Sequence, residues 1–175
     1  LNRHNTTFNA IVGKPLTDET TLNAQLNGLK NYKFSGKGYS VFTETGAAFI
    51  FLDATKGSLR TTDYNQWLNL QKDLKTIDKS KALFVVIDRA PESFSDPLEG
   101  ELLKKILTEH AEASGQAVWV LASGETASFS SKAVNGVNYV SIPAINSKEP
   151  SVTLFYISNG NVNYQVIPLI DKKIG

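Results

Sequence analysis

Three carboxylates are placed where chemistry would need them. Asp53 follows the apolar stretch Phe49–Leu52, Asp88 follows Leu83–Ile87, and Glu125 comes just after Val118–Ser123. In open α/β sheets the functional residues collect outside the C-terminal ends of the strands. If the three strands are parallel neighbours, their carboxylates converge, and a set of hard oxygen donors suits Mg²⁺ or Ca²⁺. The plainer reading is that acids end strands because the chain is returning to water. Histidine offers less. His4 and His110 are the only two. His110 falls four residues after Ile106 and three after Leu107, which is the spacing of a half-buried packing residue on a helix. Cysteine is absent, so disulfides, thiolate zinc sites and a cysteine nucleophile are excluded. Ser123-Gly124 lacks the flanking glycines of a nucleophile elbow, and neither a P-loop nor a dinucleotide fingerprint occurs.

The elements that must position these residues alternate along the chain. A short strand is expected over 8–12, then a helix capped by Thr17 or Asp18 with Leu22, Leu26 and Leu29 on one face. Strands over 39–44 and 47–53 meet at a tight turn, Thr45-Gly46. A second helix starts near Thr61 or Thr62 and carries Tyr64, Trp67, Leu68, Gln71 and Leu74 at helical spacing. The runs 82–88 and 117–123 are continuously apolar, as strands buried on both faces are, and a helix over 99–114 separates them. Beyond them the pattern is all β: a strand over 137–142 after Asn135-Gly136, then a hairpin of 152–157 and 162–167 across Ser158–Asn161. The fold class is therefore α/β, a mixed sheet with flanking helices that ends in a β-meander, drawn as one domain over residues 1–175.

Composition narrows the partners. With 41% hydrophobic and 20% charged residues the chain is an ordinary globular one, long enough to bury a core. Its 18 basic residues against 17 acidic ones give a net charge of +1, which supplies no electrostatic reason to bind nucleic acid. No apolar run approaches the ~20 residues of a membrane span, so no membrane insertion is expected. Leu1 in place of a methionine suggests a piece of a longer protein, and the lack of cysteine suits an exported, extracellular or cell-surface bacterial protein. Asn5-Thr6-Thr7 is a sequon of the kind that arises by chance.

Taken in order, the strand ends resemble the second half of a calcineurin-like metallophosphoesterase domain. FNAIVGKPLTDE is similar to that family's strand leading into Gly-Asn-His-Asp/Glu, with Gly13 kept, Lys14 at the bridging asparagine and Pro15 at the catalytic histidine. FIFLDATKGSLRTTDYNQWLNLQKDL resembles the strand-Leu-Asp-(Ser/Thr) segment and its helix, with Asp53, Gln66, Trp67 and Leu74 matching. LFVVIDRAPESF looks like the strand that ends in a ligand histidine before prolines, but Asp88 takes the histidine's place and Pro91 keeps the second proline. ELLKKILTEHAEASGQAVWVLASGETASF resembles the helix and strand before Gly-His-x-His. There Gly124 is retained while Glu125 and Ala127 replace the two histidines. VNGVNYVSIPAI follows the family's closing strand pair, so the resemblance runs from about residue 8 to 167.

The resemblance implies half of an αββα sandwich whose metal site is degenerate. Such enzymes hold two metal ions that clamp a phosphate and generate hydroxide. Lysine, proline and alanine donate nothing to such ions. The family's opening Asp-x-His and Gly-Asp segments have no counterpart here. The expectation is a non-catalytic module serving scaffolding or binding, with Lys14, Asp53, Asp88 and Glu125 lining the remnant pocket. No cofactor is expected, unless Mg²⁺ or Ca²⁺ sits at Asp53, Asp88 and Glu125. The alternative is the C-terminal half of a metal-dependent phosphoesterase completed by an N-terminal half elsewhere. Half a sandwich leaves a sheet face or edge in need of cover, which implies a homodimer or another protein segment as partner.

Overall fold

The computed structural model describes residues 8–12, 32–44, 46–124, 128–143 and 151–168. Lys14 and Glu125, and the helix expected after Thr17, lie outside the described residues. The described elements begin with β1 (Asn9–Ile11), β2 (Tyr32–Phe34), β3 (Ser40–Glu44) and β4 (Ala47–Leu52). Helices α1 (Leu59–Asp63) and α2 (Asn65–Thr76) then lead to β5 (Ala82–Ile87). A 3₁₀ turn (Pro91–Ser93) and α3 (Pro97–Ser114) lead on to β6 (Val118–Gly124). The strands β7 (Ser130–Val134), β8 (Val137–Pro143), β9 (Ser151–Ser158) and β10 (Asn161–Pro168) complete it.

Six strands form one mixed sheet in the order β3-β4-β5-β6-β8-β7. The central four, β4, β5, β6 and β8, are mutually parallel, while β3 and β7 run antiparallel at the two edges. Every residue of β4 and β5 is buried, as a continuously apolar run between two covered faces should be. Period-2 alternation divides these side chains between two cores. Ile50, Leu52, Val85, Ile87 and Val120 face the helices, meeting Trp67, Leu70 and Leu74 of α2 and Leu103 and Leu107 of α3. Phe49, Phe51, Phe84, Val86, Trp119 and Leu121 face the other way.

That second face is where the sequence implies missing cover. Within the described residues, cover comes from β1 and from the β9–β10 hairpin. Phe8 stacks on Phe42 and lies tilted against Phe49, with centroids 4.6 Å from each, and Phe155 sits edge-on to Phe84 at 5.3 Å. The molecule is thus an α/β fold of helices, mixed sheet and hairpin in layers. Both helix starts lie earlier than expected. Ser58 caps α1 through a reciprocal box with Thr61, and Asp96 caps α3 by accepting from the Leu98 N–H, with Pro97 in the first turn.

Candidate functional site

Parallel pairing puts Leu52 beside Ile87, so the next residues, Asp53 and Asp88, leave the sheet side by side at its C-terminal edge. Strand β6 is the parallel neighbour of β5, as a convergent acid site requires, and it ends at Gly124, one residue before Glu125. Two of the three expected acids are thus brought together among the described residues.

What each carboxylate does there is specific. Asp53, 8% exposed, accepts from the Thr55 N–H at 3.0 Å and the Thr55 hydroxyl at 2.6 Å on Oδ1. Its Oδ2 accepts from the Gly38 N–H at 2.8 Å. Burial opposes ionisation, but these bonds from Thr55 and Gly38 outweigh it and hold the carboxyl below the usual range. The main chain of Asp53 is also fixed. Its N–H donates to Gln66 Oε1 at 2.8 Å, and Gln66 Nε2 donates to the Asp53 and Leu59 carbonyls at 2.8 and 3.2 Å. Gln66 is fully buried, so one amide closes the loop between β4 and α2.

Asp88 is placed differently. Its Oδ1 accepts from the Ala54 N–H at 2.7 Å, tying the two strand ends together. Gly36, at φ +68°, backs onto it: an ideal Cβ there would lie 3.0 Å from Thr55 Cγ2 and 3.2 Å from Asp88 Cβ. Burial pushes the Asp88 carboxyl upward, and the neighbouring charge of Asp53 adds to this, against the pull of the Ala54 N–H. One carboxylate of the pair is stabilised as an anion and the other is not. Among the described residues, no three acids or histidines lie close enough to hold a metal ion.

Sequence reasoning missed a second buried carboxylate. Glu99, 4% exposed, accepts on Oε1 from the Arg60 N–H at 2.7 Å and from Trp67 Nε1 at 2.8 Å, joining α3 to α1 and α2. The spacing Asp96-x-x-Glu99 was its only signal, and that spacing announces a capping box. A shallow groove of about 620 Å³ between α3 and the β7–β8 edge, which includes Lys104, Lys132 and Tyr139, shares no residue with the Asp53–Asp88 pair. Its charges largely satisfy one another, Lys104 lying 2.9 Å from Glu92 and 3.0 Å from Glu101.

His110 is structural, as its helical spacing implies. Gln116 Nε2 donates to the carbonyls of Asp78 and Lys81, which turns Gln116 Oε1 toward His110 Nε2 at 2.7 Å and assigns the ring proton to Nε2. Burial lowers the His110 pKa, the bond to Gln116 partly offsets this, and the charge of Lys79 lowers it further. An unfolded histidine takes its proton near pH 6.5. The folded one resists, so the unfolded chain binds more protons in this range. Stability is therefore full above about pH 6.5 and falls as the pH drops through the folded value. Urea midpoints from pH 8 to 5 should show this fall, and His110→Gln should flatten it; an equal slope in the variant would place the titration elsewhere.

No helix among the described residues is long and apolar enough to cross a membrane. No protein-family model and no curated protein matches this chain.

Proposed function

We propose that this chain is a non-catalytic, metallophosphoesterase-like module of a larger, exported bacterial protein, acting by scaffolding or binding. The observation that carries this reading is the state of Asp53. Both of its oxygens are engaged by Thr55 and Gly38 of the adjoining loops, which spends a strand-end carboxylate on holding backbone. A metal at Oδ1 would have to displace the two bonds from Thr55. The replacement of the bridging asparagine by Lys14, and of histidines by Pro15 and Ala127, along the resembling motifs points the same way.

Elemental analysis of protein exchanged into metal-free buffer and then offered Zn²⁺, Mn²⁺ or Fe²⁺ should find none retained stoichiometrically. Hydrolysis of p-nitrophenyl phosphate and its diester should equal the buffer blank. About one equivalent of retained metal, or metal-dependent turnover, overturns the reading. Mg²⁺ and Ca²⁺ should leave the melting temperature unchanged; a rise lost in both Asp53→Asn and Asp88→Asn would establish an oxygen-ligand site instead.

A further inference from the structure

The helical layer leaves two apolar ridges in water. Tyr64, at the junction of α1 and α2, and Leu68 on α2 are 57% and 56% exposed, while Leu98 and Leu102 on α3 are 80% and 45% exposed. Each pair is spaced i, i+4, so each forms a ridge along its helix. Trp67 and Glu99 are bonded at 2.8 Å, and Gln116, 2.7 Å from His110, donates to the Asp78 carbonyl. The same offset in sequence separates Trp67 from Glu99 and Asp78 from His110, so α2 and α3 run parallel and in step. The two ridges therefore lie level with each other, on either side of the Trp67–Glu99 contact. Together they expose on the order of 500 Å² of apolar side chain, in the upper range of a monomer's largest patch.

Beyond the ridges the two helices differ in sign. On α2 the outward charges are Lys72 and Lys75, both exposed and neither in an ion pair among the described residues. Asp73 is turned aside, accepting from the Tyr39 hydroxyl at 2.7 Å. On α3 the outward charges are Glu101, Glu109 and Glu112 against Lys105, which is tied to Glu109 at 3.7 Å. Lys104 reaches toward the β7–β8 side, to Glu92 at 2.9 Å. A cationic stripe and an acidic stripe thus run side by side, continuing one apolar patch. An acidic partner or an anionic surface would satisfy one stripe and be repelled by the other. The face that complements both is the same face turned over.

We propose that two copies of this chain associate through their helical layers, α2 of each lying on α3 of the other about a two-fold axis parallel to the helices. Tyr64 and Leu68 then meet Leu98 and Leu102 of the second copy, twice over, at the centre of the contact. Lys72 and Lys75 come opposite Glu101 and Glu109, also twice. With its polar rim the face offers each partner about the 800 Å² of a standard interface. The apolar ridges supply the affinity, and the stripes decide which helix meets which. This interface is independent of whether the Asp53–Asp88 edge has any chemistry.

Light scattering of the chain across a concentration series should report twice the 19.1 kDa monomer mass. L68E/L98E should give a monomer with unchanged circular dichroism, because both leucines are exposed and leave the core intact. Charge exchange tests which helix meets which. K72E/K75E sets acids against acids, and E101K/E109K sets lysines against lysines, so each should raise the dimer Kd about tenfold or more. Mixing these two variants pairs opposite signs at every position and should restore the dimer as the heterodimer. A wild-type monomer at the highest concentration overturns the proposal. So does a dimer that survives L68E/L98E, since the interface would then lie elsewhere, or a mixture no more associated than its separate components.

Discussion

Gly100→Ala should destabilise the protein by about 3 kcal/mol, the upper end of what overpacking usually costs. An ideal Cβ at Gly100 would lie 2.2 Å from the Pro91 carbonyl oxygen and 3.0 Å from its carbon. These are main-chain atoms of the 3₁₀ turn that lies against α3, so no side chain can swing aside to relieve the contact. The turn itself is fixed. The Ser93 N–H donates to the Ala90 carbonyl at 2.9 Å, and the Ser95 N–H donates to the Gly57 carbonyl at 3.0 Å. Moving it would shift the segment from Asp88 to α3 and, with it, the acid edge of the sheet. Alanine in an unobstructed helix is favoured over glycine by about 1 kcal/mol, so propensity alone predicts the opposite sign. For a domain of this size the net loss should lower the melting temperature by about 10 °C. An unchanged or raised temperature would show that the Pro91 turn yields freely.

The same close approach illustrates what a sequence hides. Gly100 within Pro97–Ser114 reads as a mild flaw in a helix, and only the neighbouring turn makes it a requirement. Strands β4, β5 and β6 were legible because burial on both faces forces unbroken apolar runs, and the hairpin was legible because Asn159-Gly160 supplies the backbone its turn needs. Strand β7 was not. Ser-Ser-Lys-Ala-Val is exposed throughout, so no alternation marks it, and it exists through its pairing to β8 across Asn135 and Gly136. Strand β2 has three residues and pairs with β1, an interaction no local pattern encodes. The start of α1 was misplaced because Thr61 and Thr62 look like caps but hydrogen-bond Ser58 from inside the first turn. At the site, strand ends located Asp53 and Asp88, whereas Gly38, Thr55 and Gln66 as partners follow from loop geometry alone.

Replacing each acid of the pair by its amide should move stability in opposite directions. Asp53→Asn should cost about 2 kcal/mol, because the carboxylate accepts three hydrogen bonds and an amide must turn an N–H toward at least one of those donors in a buried place. Asp88→Asn should instead raise stability at neutral pH, by about 1 kcal/mol or less. Its oxygen can still accept from Ala54, and the charge that burial and Asp53 disfavour is gone. The pH dependences should differ in the same sense. Asp53 has a depressed folded pKa, so its contribution is present above its unfolded value near 3.9 and is lost as the pH falls through the folded one. Asp88 has a raised folded pKa, so its contribution is present below about 3.9 and is lost as the pH rises through the folded value. The advantage of Asp88→Asn over the wild type should therefore disappear in acid, while the deficit of Asp53→Asn shrinks there too. Urea unfolding of the three proteins from pH 3 to 7 measures both trends. A destabilised Asp88→Asn at neutral pH would mean that the Asp88 charge is held by a partner the fold depends on, and the two acids would then share one structural role rather than divide it.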